Sequence, residues 1–357
     1  MMWNFDTLNS IHLELSSKCN AACPQCPRFL DHSPNVDPNL FQTDISFDTF
    51  KKWFSPSLLK KIDNWIICGT HGDPITCIDF LDIIKYICEY SNGSIQINTN
   101  GGLRGIKFFK QLGNIFQNAT VKDSVNRLVV FSIDGLEDTN HLYRRNVKWS
   151  NVFENLKAYK STGAYAAWDF LRFNHNNHQI NKAREIAESL NVEFRLKNPF
   201  GVSDYAMPVN DNNYNLEYTI YHYTKEPTKT FTPNTRNYTA PLPDPNFVTN
   251  GCITCNSFRD NIHEVYIDHL GRVHPCCFIG GDINSLPYMD IVTEVKHIQK
   301  ILGKHNNLYY YSLEEIMNNN ILSLYSNSWA DKTVKKCWIQ CGKKNSNRSV
   351  DNLFVEN

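Results

Sequence analysis

The reading of this chain turns on residues 11–28, "IHLELSSKCNAACPQCPR". The first six residues read as a β-strand. Three cysteines follow, Cys19, Cys23 and Cys26, in the spacing C-x3-C-x2-C, and the next cysteine is Cys68. A structural zinc site takes four ligands, and a fully ligated [4Fe–4S] cube takes four thiolates. Three thiolates on one loop can hold three corners of a cube and leave one iron open to a small molecule. A zinc site completed by a distant ligand, or buried structural cysteines, are the other readings of the triplet.

From residue 10 to about 197, short apolar and β-branched runs alternate with segments whose apolar residues recur at spacings of three and four. Strands are predicted at 11–16, 64–69, 94–100, 127–134, 165–172 and 192–197, and helices near 47–61, 78–90, 104–117, 149–162 and 180–189. Such βα units predict a parallel sheet, because parallel neighbours need crossover connections and these are usually helical. The expected fold class is α/β, with a partial (β/α)6 barrel of the TIM type. Chemistry in such folds sits at the carboxyl ends of the strands. There fall the cysteine triplet, "GTHGDP" (69–74), "NTNGG" (98–102) and "SIDG" (132–135).

A length of 357 residues predicts a large unit and a smaller one. The expected divisions are 1–200, a loop-rich bridge over 201–250 with six tyrosines from Tyr205 to Tyr238, and a cysteine-rich unit over 251–357. The bridge reads either as a flexible linker or as a substrate-facing lid. A strand-turn-strand is predicted in "HEVYIDHLGRVHPC" (263–276), with Gly271 at the turn. Thirty-six basic residues balance thirty-six acidic ones, so net charge recruits neither nucleic acid nor an anionic membrane. The basic cluster of Lys335, Lys336, Lys343, Lys344 and Arg348 reads as a solvated tail. No apolar run reaches the ~20 residues of a membrane span, and the first residues lack signal-peptide character, so a cytoplasmic location is expected. Twelve cysteines there point to metal or cluster binding in preference to disulfides. The N-x-S/T triplets at Asn92, Asn118, Asn237 and Asn347 then read as chance matches.

The triplet after a first strand resembles the signature of the radical S-adenosylmethionine (SAM) superfamily. In that family the open iron chelates the amino and carboxylate groups of the methionine portion. "GTHGDP" is similar to the family's Gly-Gly-Glu-Pro element, which receives the methionine ammonium; Gly72 matches its second glycine, His71 replaces the first, and Asp73 replaces the glutamate. "NTNG" resembles the segment that approaches the SAM ribose or carboxylate, implying roles for Asn98 and Asn100. Ser132 and Asp134 resemble residues facing the same cofactor. Arg144 and Arg145 occupy a family position where an arginine fork suits the methionine carboxylate; a surface charge is the alternative for either. Gln25 departs from the apolar residue usual before the third cysteine, where Phe29 can supply some of the missing surface. The resemblance implies reductive cleavage of SAM to a 5′-deoxyadenosyl radical, which abstracts hydrogen from a substrate carbon, and an electron donor such as flavodoxin or ferredoxin.

Residues 251–357 resemble the SPASM/twitch extensions of the superfamily, which carry auxiliary clusters. Cys255, Cys276, Cys337 and Cys341 are the implied ligands of one further [4Fe–4S] cluster, with Cys252 or Cys277 as substitutes for Cys255 or Cys276. Zinc is the other metal that suits four thiolates. The implied activity is that of an oxidoreductase or maturase acting on a peptide, a protein or a small molecule. A non-catalytic zinc or iron–sulfur module is the alternative. A leader-dependent peptide is expected to need a separate recognition protein, because neither end offers a leader-binding unit. Cys68, Cys77 and Cys88 read as small apolar packing residues. No catalytic acid or base is assigned; the bridge tyrosines, His175 and His178 are candidates.

Overall fold

A computed structural model describes residues 3–119, 126–199, 206–223, 253, 255–258, 261–284, 290–330 and 333–342. The strands among them are β1 (Ser10–Leu13), β2 (Asn64–Ile67), β3 (Ser94–Thr99), β4 (Arg127–Ser132), β5 (Tyr165–Leu171), β6 (Glu193–Lys197), β7 (Ala206–Asn210), β8 (Leu216–Tyr221), β9 (Glu264–Ile267) and β10 (Val273–His274). One sheet runs β10-β9-β1-β2-β3-β4-β5-β6, parallel throughout except for the antiparallel β9–β10 pair. The helices are α1 (Phe47–Trp53), α2 (Pro56–Lys61), α3 (Phe80–Tyr90), α4 (Ile106–Asn118), α5 (Asn140–Tyr143), α6 (Trp149–Lys160) and α7 (Ile180–Ser189). After the sheet come α8 (Cys277–Asn284), α9 (Asp290–Leu302), α10 (Leu313–Asn318), α11 (Ser323–Asn327) and α12 (Lys335–Cys341).

Strand residues alternate between two unlike faces, as the two-residue period of a strand requires. Leu13, Ile67, Ile97, Phe131 and Trp168 join the main core together with Phe80 and Ile84 of α3, Phe109 and Leu112 of α4 and Leu156 of α6. Helices α3, α4 and α6 pack side by side in chain order. The residues between, among them His12, Gln96, Asn98, Ser132 and Asp169, belong to the other face, where Leu128, Val130 and Ala167 form a small apolar cluster of their own. Sequential strand order from β1 to β6 thus accompanies one greasy, helix-covered face and one polar face.

Several expectations need amendment. The predicted helix at 47–61 is two, because Ser55 caps a new helix with Pro56 in its first turn, where the missing N–H costs nothing. Strands one, two and four stop two residues or more short of their predicted ends, where the chain leaves the sheet to build the rim. Within the bridge, β7 and β8 form an antiparallel hairpin, burying Met207, Val209 and Ile220. The hairpin at 264–274 extends the parallel sheet: β9 lies against β1 in register, Leu13 facing Ile267. Among the described residues no helix is long and apolar enough to cross a membrane.

Gly271 turns β9 into β10 at φ +74, and a Cβ there would meet the Trp53 indole at 2.7 Å. Left-handed backbone and overpacking act together, so Gly271→Ala is expected to cost about 1–3 kcal/mol. Urea unfolding should show a lower midpoint with an unchanged slope.

Candidate functional site

The cysteine loop leaves β1 and folds back on itself. The Cys26 N–H donates to the Cys23 carbonyl at 3.0 Å, and the Ala21 N–H points at the Cys19 sulfur at 3.4 Å. Arg28 fixes the loop from below, donating from Nη1 to the Cys19 carbonyl at 3.0 Å. All three are free thiols, Cys23 buried and Cys19 and Cys26 half-buried. Burial, chiefly, raises each thiol: Cys26 is pushed up to about 12, with the nearby Cys23 adding to it, and Cys19 and Cys23 also rise. Burial thus favours the neutral thiols over the thiolates.

Two loops reach the sulfurs, each braced by a buried carboxylate. Asp73 accepts from the Thr99 hydroxyl at 2.8 Å, the Asn100 N–H at 2.7 Å, Asn100 Nδ2 at 2.6 Å and the Ile75 N–H at 3.2 Å. The same Asn100 amide donates to the Cys19 sulfur at 3.5 Å and to Asn20 Oδ1 at 3.0 Å. Asp134 accepts from the Leu171 N–H at 2.7 Å and from Arg144 Nε at 2.6 Å. Arg144 Nη1 then stands 3.7 Å from the Cys23 sulfur. Gly72 lies so close to the chain leaving β1 that a Cβ would sit 1.8 Å from the Ser16 carbonyl oxygen. Of the sequence-predicted residues, Gly72, Asp73, Asn100, Asp134 and Arg144 therefore gather around the cysteine loop.

The others stand otherwise, although the Arg145 carbonyl accepts from the Ala22 N–H of the loop at 2.9 Å. Asn98 is on the polar face of β3 and accepts from Gln96 Nε2 at 2.9 Å, while Ser132 on that face pairs in register with Asp169. Arg145 faces the bridge hairpin, held by Glu217 at 2.6 Å and the Asn210 carbonyl at 2.8 Å. Gln25 accepts from the Tyr143 hydroxyl at 3.5 Å. His175 stacks on Phe173, and burial lowers its ring to about 4. Tyr205 and Tyr238 lie outside the described residues, as do Cys252, Lys343, Lys344, Arg348, Asn237 and Asn347. Lys335 and Lys336 belong to α12, not to a solvated tail: each has a carboxylate partner, Glu294 at 3.7 Å and Asp282 at 2.9 Å.

Sequence reasoning missed Glu14. Fully buried just past β1, it accepts from the Tyr266 hydroxyl and His269 Nδ1, both at 2.9 Å, and from the N–H groups of His71 at 2.7 Å and Gly72 at 3.2 Å. His71 Nδ1 stands 4.0 Å from the carboxylate, too far for a hydrogen bond and close enough for electrostatic attraction. Burial works against the charge, but the His269 hydrogen bond and the nearness of both histidines more than offset it, holding this carboxyl well below its ordinary range. One side chain thus ties β1, the "GTHGDP" loop and the β9–β10 hairpin together. The only signal was an acidic residue inside a predicted strand.

A second thiol site lies after the sheet. Cys255, Cys276, Cys337 and Cys341 wall one cavity, with Trp3 and Trp329 among its other linings. Cys277 is not among those linings; burial chiefly, with the charges of Glu264 and Cys68 adding, pushes its thiol up to about 12. Burial raises Cys276, and a hydrogen bond with Cys341 followed by burial raises Cys255. Among the described residues no group of three or more His, Cys, Asp or Glu is placed to hold a single metal ion. Of the remaining cysteines, Cys77 is buried in the core and Cys68 and Cys88 are half-buried.

No protein-family model and no curated protein matches this chain. Among solved structures, polyhistidine-tagged anSMEcpe with bound AdoMet is 14% identical, over 89% of this chain and 79% of that one, at a TM-score of 0.51. Native anSMEcpe with bound AdoMet is 13% identical over 88% and 82% at 0.50. What the likeness shows is the fold. Streptococcus suis SuiB bound to S-adenosylmethionine is 14% identical over 76% of this chain at 0.48, and this chain spans 61% of SuiB's length.

Because the folded carboxyl of Glu14 lies below its ordinary value of 4.5, its contribution is complete above that pH and is lost as pH falls further. Glu14→Gln is expected to cost about 1.5–3 kcal/mol at pH 7. Urea unfolding at a series of pH values checks this: the gap between the two proteins should narrow on acidification, and parallel curves would acquit the carboxylate.

Proposed function

We propose that this chain is a radical SAM enzyme: a partial barrel of the TIM type over residues 1–200, a bridge over 201–250 and a SPASM/twitch-like unit over 251–357. Cys19, Cys23 and Cys26 would hold three corners of a [4Fe–4S] cluster, leaving the fourth iron to the methionine portion of SAM. Such a cluster, when bound, would supply one-electron reduction of the sulfonium, breaking the C5′–S bond to give methionine and a 5′-deoxyadenosyl radical able to take a hydrogen atom from the substrate. The electron comes from a donor of the flavodoxin or ferredoxin class.

The observation that carries this reading is the convergence on the triplet. Asn100 from the end of β3 and Arg144 from beyond β4 reach different sulfurs of a loop that starts at β1. The chain's own part is to position: Gly72 brings backbone close, Asp73 and Asp134 orient Asn100 and Arg144, and the polar sheet face with Asn98 and Ser132 faces the cofactor and substrate. Burial of this rim keeps water from the reacting carbon.

Cys255, Cys276, Cys337 and Cys341 would hold one auxiliary [4Fe–4S] cluster. Four thiolates around a cavity suit a cube, whose ligands sit on four separate irons, better than a single tetrahedral ion with sulfurs ~2.3 Å from its centre. Full ligation favours electron transfer over substrate binding. The substrate class is a peptide, a protein side chain or a polar small molecule, consistent with the polar face; the bridge hairpin, seated on the segment past the cysteine loop by its Asn210 N–H on the His32 carbonyl at 3.1 Å, would serve as a lid.

Anaerobic reconstitution is expected to load about eight irons per chain and to give 5′-deoxyadenosine on reduction with SAM. Cys26→Ala should abolish that cleavage, while Cys341→Ala should keep cleavage without substrate and lose up to half of the iron. Bound zinc, or undiminished cleavage by the Cys26 variant, would remove the basis of the assignment.

A further inference from the structure

We infer that Lys336 tunes the reduction potential of the C-terminal thiolate site upward, and that Asp282 opposes it. This rests on the proposal that Cys255, Cys276, Cys337 and Cys341 hold a cluster. Lys336 is the one charged residue among the described linings of their cavity. Its side chain is only 22% exposed, and its ammonium donates to Asp282 Oδ1 at 2.9 Å. Asp282 stands on α8, the helix that begins beside Cys276, and its Oδ2 is buried with no hydrogen-bond partner. The neighbouring Lys335 points elsewhere, half-exposed toward Glu294. The chain therefore places one ammonium at the cavity and holds it with one carboxylate.

A cube bound by four thiolates adds one electron to a site that is already anionic, and potential follows the local charge. A fixed cation at the cavity wall favours the more negative, reduced form; a nearby carboxylate disfavours it. Screening is weak because most of the lining is apolar or aromatic. Lys336 thus acts through electrostatics on the cluster as a positioning residue, with no contact to substrate.

The test uses the full-length chain with Cys19, Cys23 and Cys26 all replaced by Ala, so that any cluster signal comes from the C-terminal site. Redox titration followed by electron paramagnetic resonance of the reduced cluster should place the midpoint of Lys336→Gln below that of the parent. Asp282→Asn should move it above, and Lys336→Arg should stay near the parent. Opposite signs are diagnostic, because lost packing has no reason to reverse direction between the two variants. Midpoints that stay put, or shift the same way, overturn the inference while leaving the cluster assignment standing. Should Lys336→Gln fail to load, Asp282→Asn decides alone by the sign of its shift. No iron in the parent overturns both.

Discussion

A carboxylate taken out of water must gather donors or a cation, and the rim of this sheet is built around that requirement. Glu14 follows β1, Asp73 follows β2, Asp134 follows β4 and Asp268 follows β9, and none is more than 4% exposed. Asp268 finds most of its partners within its own hairpin, in Arg272 and His274, with Asn284 of α8 at 3.5 Å. The other three reach across to foreign loops: Glu14 to "GTHGDP" and the β9–β10 hairpin, Asp73 to the end of β3, Asp134 to Arg144 and β5. Loops that share buried hydrogen bonds cannot move separately without stranding a charge. The groups nearest Cys19 and Cys23 are therefore oriented from behind, as the outer partners of a metal site orient its ligands.

The same constraint explains what sequence can and cannot disclose. β3 and β4 are legible because "SIQINT" and "RLVVFS" carry β-branched runs of strand length between helical segments. Asp73 and Asp134 are legible as acidic residues at strand ends, but not the direction of their carboxylates, which turn inward and brace Asn100 and Arg144. Glu14 was hidden because the residues that explain it, Tyr266 and His269, lie 252 and 255 positions away along the chain. Pairing at that distance leaves no local pattern. The bridge hairpin was hidden for a different reason: Pro208 and a polar turn mask the short alternation of Met207, Val209 and Ile220.

The two thiol sites are made alike in one respect. Each sets a basic side chain near buried sulfur and ties it to a carboxylate, Arg144 to Asp134 and Lys336 to Asp282. An unpaired cation among neutral buried thiols would destabilise the chain before any metal arrived, since a lone buried charge is costly. Pairing offsets that cost within the chain itself. Were a cation bound as proposed, it would supply the positive charge that thiolates require, and loading and thiol ionisation would be a single event. A site built this way keeps its geometry ready while leaving its charge unfinished. That suits a chain whose sheet and rim form from its own side chains.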